Sequence, residues 1–322
     1  MAKQTTFSLK DHLFNRDRVQ YLSEQFANSD SSFDSDGFTA AVMTRLEALE
    51  LKERIVHIAE SVEEFLDADF LTSAKQIVAA LPPPLDPKLS DDDFGDFIFA
   101  PLGEFVVRNG LNVKHLKLSL RTLRQLTQRF SMEDAIRYFI NEFPDETLAT
   151  LDNWSTDKHY HVRRLVSEGT RPRLPWSGRL NIKPERPLPL LDQLHADRTR
   201  YVTRSVANHL NDITKTDPER VLTTLRRWKR AKLQDPEELQ WMTKHALRTL
   251  VKKGDPGALK LLGYRPDPKI EVSDLKLSPA AVTPGEAVEF LFELTAERSE
   301  SLIVDYVIDF VKAGGKRATK VH

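Results

Sequence analysis

The sequence contains no cysteine, so disulfide bonds and metal sites built on thiolates are excluded. It has no apolar run close to the roughly 20 residues needed to span a bilayer. Its first residues also lack the apolar stretch of a secretory signal. We therefore expect a cytoplasmic protein with no membrane partner. The 322 residues are enough for about two domains with a real hydrophobic core.

The chain as a whole has a net charge of only −1, but its charged residues are unevenly distributed. Residues 151–265 contain 24 Lys and Arg against 13 Asp and Glu, a local excess of about +11, and the remainder carries about −12. A basic segment within a neutral protein is typical of a surface that binds a polyanion such as nucleic acid. A solvated basic face without a partner stays open as the alternative.

The hydrophobic periodicity predicts helices from about residue 8 to residue 263. Apolar residues recur at spacings of three and four. One such stripe consists of Leu116, Leu120, Leu123, Leu126 and Phe130. Asp235 followed by Pro236 predicts an N-cap and the first residue of a helix, with Glu238 placed for a capping box. Helix pairs that repeat roughly every 35–45 residues favour a stacked α-solenoid of the HEAT type.

The periodicity changes after Pro266, where strand-like patterns begin. Two β-favouring runs, at 287–294 and 302–311, are flanked by turn residues. We expect a helical-repeat domain at 1–266 and a separate β module at 267–322. An immunoglobulin-like sandwich has about seven strands in about 100 residues, so this module is expected to be truncated.

Two of the predicted helices carry polar or aromatic side chains opposite their apolar stripe. These residues are Arg204, Ser205, Asn208, Asn211 and Asp212 in the helix at 201–213, and Trp241, His245, Arg248 and Lys252 in the helix at 235–253. A tryptophan aligned with cations suits backbone phosphates and a flat ligand surface. A solvated face, or a Trp241 packed on a neighbouring repeat, would explain the same residues without a ligand.

The densest group of charged and aromatic residues lies at 154–176. A short helix there places Arg164 and Glu168 on its polar face. The constrained loop that follows carries Arg171, Arg173 and Trp176. A structural ion pair with Arg164 would account for Glu168. A carboxylate opposes the binding of DNA phosphates, however, which indicates another role for Glu168.

Residues 163–176 read Arg-Arg-Leu-Val-Ser-Glu-Gly-Thr-Arg-Pro-Arg-Leu-Pro-Trp. This string closely resembles the AlkC branch of the HEAT-like-repeat alkylation-repair glycosylases. The resemblance extends to the segments 101–106, 133–137, 205–212 and 245–255. It departs from the family pattern at Asp134 and Tyr138, where the family usually has Phe and Pro.

The resemblance implies a mostly α fold, a HEAT-like α-solenoid followed by an immunoglobulin-like β module. It also implies a glycosylase that excises cationic bases such as 3-methyladenine and 3-methylcytosine from double-stranded DNA without flipping them. Glu133, Glu168 and Asp212 would be the site carboxylates, with Trp176 the aromatic at the deoxyribose. We expect a monomer that needs no cofactor and no metal.

The chemistry suits these residue types. A base methylated at N3 is already cationic, so it can leave without a proton donor. The sugar then becomes oxocarbenium-like, and carboxylates stabilise that charge, as in glycoside hydrolysis. The residues expected to bind DNA are Arg164, Arg171, Arg173, Arg204, Asn208, Asn211, Trp241, His245, Arg248 and Lys252.

Two other classes of protein are compatible with parts of the sequence. A helical-repeat scaffold that binds nucleic acid without chemistry explains the basic segment, but it gives no reason for carboxylates on basic faces. A metal-dependent nuclease is suggested by Asp157, His159 and His161. It is the weaker of the two, because histidines two residues apart on a helix point in different directions.

Overall fold

The computed structural model describes residues 7–89, 94–283 and 285–321. Within this part of the chain the fold is a HEAT-like α-solenoid followed by a small β module. The helices and strands are α1 (Leu9–Leu13), α2 (Arg16–Ser29), α3 (Ser35–Met43), α4 (Leu51–Phe65), α5 (Phe70–Ala80), α6 (Ala100–Gly110), α7 (Leu116–Thr127), α8 (Glu133–Glu142), α9 (Pro144–Trp154), α10 (Tyr160–Gly169), α11 (Leu188–Leu194), α12 (Arg200–Ile213), α13 (Pro218–Ala231), α14 (Pro236–Val251), α15 (Pro256–Leu261), β1 (Ile270–Ser278), β2 (Glu289–Ala296), β3 (Val307–Val311) and β4 (Arg317–Val321). Among these helices, none is long and apolar enough to cross a membrane.

The chain folds into two compact units. The first contains the residues up to Ile213 together with Lys232–Ala246. The second contains Thr214–Ala231 together with the residues from Leu247 onward, so that α14 contributes to both. The domain division expected at residue 266 stays a prediction.

Alternate helices of the first unit form one continuous layer. Helix α4 packs on α6, α6 on α8, α8 on α10, and α10 on α12. Helices α5 and α7 pack on each other, while α9 and α11 each pack against α10. Each repeat therefore buries its apolar face against its neighbours, as solenoid repeats do. The predicted stripe on α7 is buried at Leu116, Leu120, Leu123 and Leu126.

The second unit contains two antiparallel strand pairs in its described residues. Strand β1 pairs with β2 from Ile270 opposite Ala296 to Ser278 opposite Glu289, with a bulge between Ser273 and Lys276. Strand β3 pairs with β4. The predicted runs at 287–294 and 302–311 overlap β2 and β3. Strands β1 and β4 have no counterpart among the predicted runs.

A candidate active site on α8, α10 and α12

Three carboxylates and two guanidinium groups alternate across the layer formed by α8, α10 and α12. Arg164 Nη1 donates to Glu133 Oε2 at 2.5 Å, and Arg164 Nη2 lies 3.5 Å from Glu168 Oε1. Arg171 Nη1 donates to Glu168 Oε1 at 2.6 Å, and Arg171 Nη2 lies 2.9 Å from Asp212 Oδ2. We call this series Glu133–Arg164–Glu168–Arg171–Asp212 the charge chain. The predicted carboxylates thus come together, with a formal net charge of −1.

Two carboxylates of the charge chain, Glu168 and Asp212, are buried, and the third, Glu133, is partly exposed. The side chains of Glu168 and Asp212 are 6% and 4% exposed, whereas that of Glu133 is 28% exposed. Glu133 is the first residue of α8, where the helix dipole favours a negative charge. Because only Glu133 is substantially exposed, it is the carboxylate of the chain that an outside molecule reaches first.

The neighbours of Glu168 keep it ionised despite its burial. Burial alone disfavours the charged form, but Arg164, Arg171 and the Ser205 hydroxyl together lower the pKa of Glu168. Ser205 Oγ donates to Glu168 Oε2 at 2.6 Å. In turn, Glu168 and Asp212 outweigh the effect of burial and raise the pKa of Arg171. Two arginines, Arg164 and Arg171, therefore keep Glu168 ionised, whereas Arg173 is exposed on the loop.

His209 lies beneath the buried carboxylates. Its ring is fully buried, and Nδ1 lies 3.1 Å from the carbonyl oxygen of Ser167. Burial lowers the pKa of His209 to about 4, with Arg171 acting in the same direction and Asp212 and Glu168 opposing it. The ring is accordingly neutral at neutral pH, and Nδ1 donates to the carbonyl.

Trp176 is exposed to solvent and lines the same cavity as Glu133. Trp176 is 76% exposed. Its backbone φ is +73°, in the left-handed region, which costs energy for a residue with a bulky side chain. Trp176 and Glu133 both line a cavity of about 210 Å³ whose walls also include Phe97 and Phe130. An exposed aromatic ring in a strained backbone conformation is typical of a ligand contact.

The predicted DNA-binding residues fall into different environments. Arg164 and Arg171 belong to the charge chain, so their guanidinium groups are already paired with carboxylates. Arg173 is exposed on the loop, Arg204 and Asn208 are half-buried, and Asn211 is buried. In the second unit, Arg248 is half-buried and Lys252 is exposed. Their contacts with DNA stay predictions.

Trp241 and His245 are joined to α12 through their own contacts. The two rings are stacked, with centroids 5.0 Å apart. The guanidinium of Arg200 lies 3.9 Å from the Trp241 ring centroid, and His245 Nε2 lies 2.9 Å from Asn208 Oδ1. The indole thus packs on a neighbouring repeat, which was the alternative considered for it.

The polar face predicted for α12 is covered by protein. Ser205, Asn211 and Asp212 are buried, so these three residues do not form the solvated face that was the alternative explanation for them. Helix α10 packs against α12 and covers these residues. Helical periodicity indicates which residues share a face, but it does not reveal whether a neighbouring repeat covers that face.

Several residues of the site were not identified from the sequence. Ser131 Oγ donates to Glu133 Oε2 at 2.5 Å, and the ring of Tyr201 lies 4.8 Å from the Arg164 guanidinium. Arg137 donates to the carbonyl oxygens of Gly169, the last residue of α10, and of Arg171 in the loop that follows. Its signals in the sequence were its place in the resembling segment 133–137 and its position one helical turn after Glu133.

The residues that suggested a nuclease have other partners. His159 Nε2 lies 3.0 Å from the carbonyl oxygen of Leu85, and His159 Nδ1 accepts from the backbone N–H of His161. Asp157 forms an ion pair with Arg124. In the described ranges, no group of three or more His, Asp or Glu side chains is arranged to hold a metal ion.

Comparison with known proteins places this chain in a family. Residues 271–322 match the family described as "Uncharacterised protein YhaZ, C-terminal Ig-like domain". The uncharacterised protein YhaZ of Bacillus subtilis (strain 168) is 36% identical over 315 residues, which cover 96% of this chain and 83% of YhaZ.

A solved structure is similar over nearly the whole chain. It is the Pseudomonas fluorescens alkylpurine DNA glycosylase AlkC bound to DNA containing an abasic site analog. The TM-score is 0.84 at 34% sequence identity, covering 98% of this chain and 85% of the AlkC chain. The fold is therefore that of a HEAT-like-repeat protein with a C-terminal immunoglobulin-like module. The chain belongs to the AlkC-type family of the HEAT-like-repeat superfamily, together with YhaZ.

Proposed function

We propose that this protein is a DNA-repair glycosylase. Its substrates would be cationic alkylated bases, such as 3-methyladenine and 3-methylcytosine, in double-stranded DNA. It would hydrolyse the N-glycosidic bond without flipping the base out of the duplex. The charge chain is the observation that carries this proposal, because it supplies preorganised carboxylates within a fold similar to that of a DNA glycosylase.

The carboxylates act on the charge that develops on the sugar. When the cationic base leaves as a neutral molecule, its positive charge passes to the deoxyribose, which becomes oxocarbenium-like. Glu133 is the accessible carboxylate and would face the sugar or the attacking water. Glu168 and Asp212 lie behind it and add negative charge in a region from which water is excluded.

The two arginines of the charge chain keep this charge in place. Arg164 and Arg171 each bridge two carboxylates, so they hold three negative groups together that would otherwise repel one another. With two cations for three anions, one negative charge is left to stabilise the sugar. The Trp176 ring, which lines the same cavity as Glu133, would add cation–π attraction for the same positive charge.

A specific observation also favours a second function, a DNA-binding scaffold without chemistry. Each carboxylate of the charge chain is paired with an arginine, and such pairs also occur as purely structural devices. On this reading, Glu168 and Asp212 would anchor the loop that carries Arg171 and would have no role in bond cleavage.

Incubation with methylated duplex DNA in the presence of EDTA separates these functions. We expect free 3-methyladenine to be released and the DNA backbone to stay intact until the abasic sites are cleaved by heat or alkali. Binding of the DNA without any release of base would support the scaffold instead. Strand breaks that appear only when a divalent metal is supplied would indicate a nuclease.

A further inference from the structure

The loop between α10 and α11, residues 170–187, carries three of the predicted site residues. Arg171 belongs to the charge chain, and Arg173 and Trp176 are exposed a few residues further on. A segment this long without regular structure is either functional or poorly ordered. Its own backbone bonds include Arg171 N–H to Glu168 O at 3.3 Å and Ser177 N–H to Leu174 O at 3.3 Å.

Two side chains on α8, those of Arg137 and Asn141, form hydrogen bonds with the backbone of this loop. Arg137, one turn after Glu133, donates from Nη1 to Gly169 O at 3.1 Å and to Arg171 O at 2.8 Å, and from Nε to Gly178 O at 2.8 Å. One turn later, Asn141 Nδ2 donates to Arg179 O at 2.9 Å. Its Oδ1 accepts from the Asn181 N–H at 2.8 Å.

Arg137 is an unusual choice for a merely structural position. It is 2% exposed, and among the ion pairs of the described residues it takes part in none. Its guanidinium is satisfied instead by carbonyl oxygens on both sides of Trp176. Burial lowers the pKa of Arg137, which reflects the cost of keeping this cation inside the protein.

We propose that Arg137 is a positioning residue of the site, which fixes the backbone at 169–178 so that Arg171 reaches Glu168 and Asp212 while Trp176 is held at the cavity that Glu133 also lines. A guanidinium is needed because its donors are spread over a rigid plane and reach carbonyls at both ends of the segment. A lysine ammonium is a single point and cannot contact Gly169 O and Gly178 O in the same way. The kinetic consequence of this proposal rests on the proposed glycosylase function, whereas its structural consequence does not.

Replacement of Arg137 by lysine (Arg137→Lys) tests the proposal because it keeps the positive charge but removes the planar set of guanidinium donors. We expect the amide hydrogens of Arg171 and Ser177 to exchange with deuterium at least about tenfold faster, with no change in the middle of α10. In single-turnover assays we expect excision to slow by about 10–100-fold, as for other small displacements of reacting groups. DNA affinity should change by less than about threefold, since Arg204, Arg248 and Lys252, which are also expected to bind DNA, lie outside this loop.

Arg54 provides a matched control. It is also a buried arginine that donates to carbonyl oxygens, those of Lys10, Phe14 and Leu49, far along the chain from the loop. Arg54→Lys should lower the melting temperature but leave loop exchange and the excision rate per folded molecule unchanged. Gly178→Ala is the control within the loop, because a Cβ there meets no atom within 4 Å.

The proposal is overturned if Arg137→Lys behaves like Arg54→Lys, with lower stability but wild-type loop exchange and wild-type excision. If Arg137→Lys does not fold, Asn141→Ala takes its place. This variant should speed exchange at Asn181 and slow excision by a few-fold, and wild-type values for both would overturn the proposal. If the wild-type protein releases no base at all, the proposed function fails, but loop exchange still decides the role of Arg137.

Discussion

Glu168 and Arg171 illustrate how strongly burial constrains the site at the scale of single residues. Both side chains are largely buried, and they form an ion pair in which Arg171 Nη1 lies 2.6 Å from Glu168 Oε1. Removing one member of a buried ion pair leaves the other charge unpaired and typically costs about 3–5 kcal/mol. Activity losses in alanine variants of the charge chain therefore have to be expressed per folded molecule. Substitutions that keep shape and hydrogen bonds, such as glutamine for glutamate, are the informative ones.

Stability should depend on the protonation of His209. The pKa of the folded-state ring is about 4, whereas an unfolded histidine has a pKa near 6.5. Between these values the unfolded chain binds more protons, so stability that is fully present above pH ~6.5 is lost as the pH falls towards ~4, by up to about 3 kcal/mol. The lowered pKa of Glu168 acts in the same direction, but only below its unfolded value near 4.3.

Urea unfolding at pH 7, 6 and 5 measures this dependence. His209→Asn keeps a donor near the Ser167 carbonyl but does not titrate, so its unfolding free energy should depend on pH less steeply than that of the wild type over this range. Burial also lowers the pKa of His159, so part of the slope should remain in the variant. Replacing the exposed His12 by Asn is the control and should leave the wild-type slope. An undiminished slope in His209→Asn would mean that another group is responsible.

Trp176 should matter for activity and not for folding. Because 76% of the residue is exposed, Trp176→Ala removes little buried surface and should leave the melting temperature within a few degrees. The free energy of unfolding of Trp176→Gly should even exceed that of the wild type by about 1 kcal/mol, because glycine accepts a φ of +73° without strain. Both variants should slow excision by about tenfold or more, the scale expected when one cation–π interaction is removed.

Thermal melts and single-turnover rates, measured side by side, check this prediction. Val113→Ala, at another highly exposed apolar residue, is the matched control and should change neither quantity. A large fall in melting temperature with an unchanged rate would identify Trp176 as a structural residue.

At the scale of the elements, close packing of α10 on α8 brings Glu133 on α8 within reach of Arg164 on α10. Gly169 ends α10, and a Cβ on this residue would lie only 2.5 Å from Ile136 Cγ2 on α8. Gly169→Ala should therefore push the two helices apart and cost about 1–3 kcal/mol of stability. Chemical denaturation measures the loss, and Gly178→Ala, which has open space around it, should cost far less. Equal effects of the two variants would refute the packing argument.

Elements were predictable from the sequence where local chemistry determines them. Asp235 Oδ1 accepts from the N–H groups of Glu237 and Glu238, which confirms the predicted N-cap of α14. The capping-box role of Glu238 was wrong, since its carboxylate pairs with Arg200 on α12. That contact joins residues 38 positions apart, and no local pattern reports it.

The candidate site was predictable only in part, for the same reason. The resemblance selected Glu133, Glu168 and Asp212, and the expected helix at 201–213 agrees with α12 to within one residue. That the three carboxylates are linked through Arg164 and Arg171 depends on the register of three packed helices. The contacts of Arg137 with a loop 32–41 residues away could likewise not be read from the sequence.

At the scale of the whole molecule, the excess of positive charge in residues 151–265 predicts salt-dependent binding to DNA. The double variant Arg248→Glu/Lys252→Glu should weaken binding to damaged and undamaged duplex alike. It should also reduce the slope of log affinity against log salt by about 1 for each phosphate that the variant no longer neutralises. Lys75→Glu/Lys117→Glu, at exposed lysines outside the basic segment, is the matched control. Fluorescence anisotropy titrations at several salt concentrations decide this, and unchanged affinity in the first variant would place Arg248 and Lys252 off the DNA-binding surface.

The proposed catalysis depends on a buried carboxylate that stabilises the transition state, and Glu168→Gln is the sharpest test of this dependence. The substitution keeps the shape and removes the negative charge; the amide oxygen can still accept from Arg171, while the amide NH2 can donate to the hydroxyl oxygen of Ser205. We expect single-turnover release of 3-methyladenine from duplex DNA to slow by about 10²–10³-fold, the effect of one preorganised electrostatic group. DNA affinity should be unchanged or higher, and the melting temperature should fall by only a few degrees. Release of 3-methyladenine at the wild-type rate by a folded Glu168→Gln protein would contradict the account.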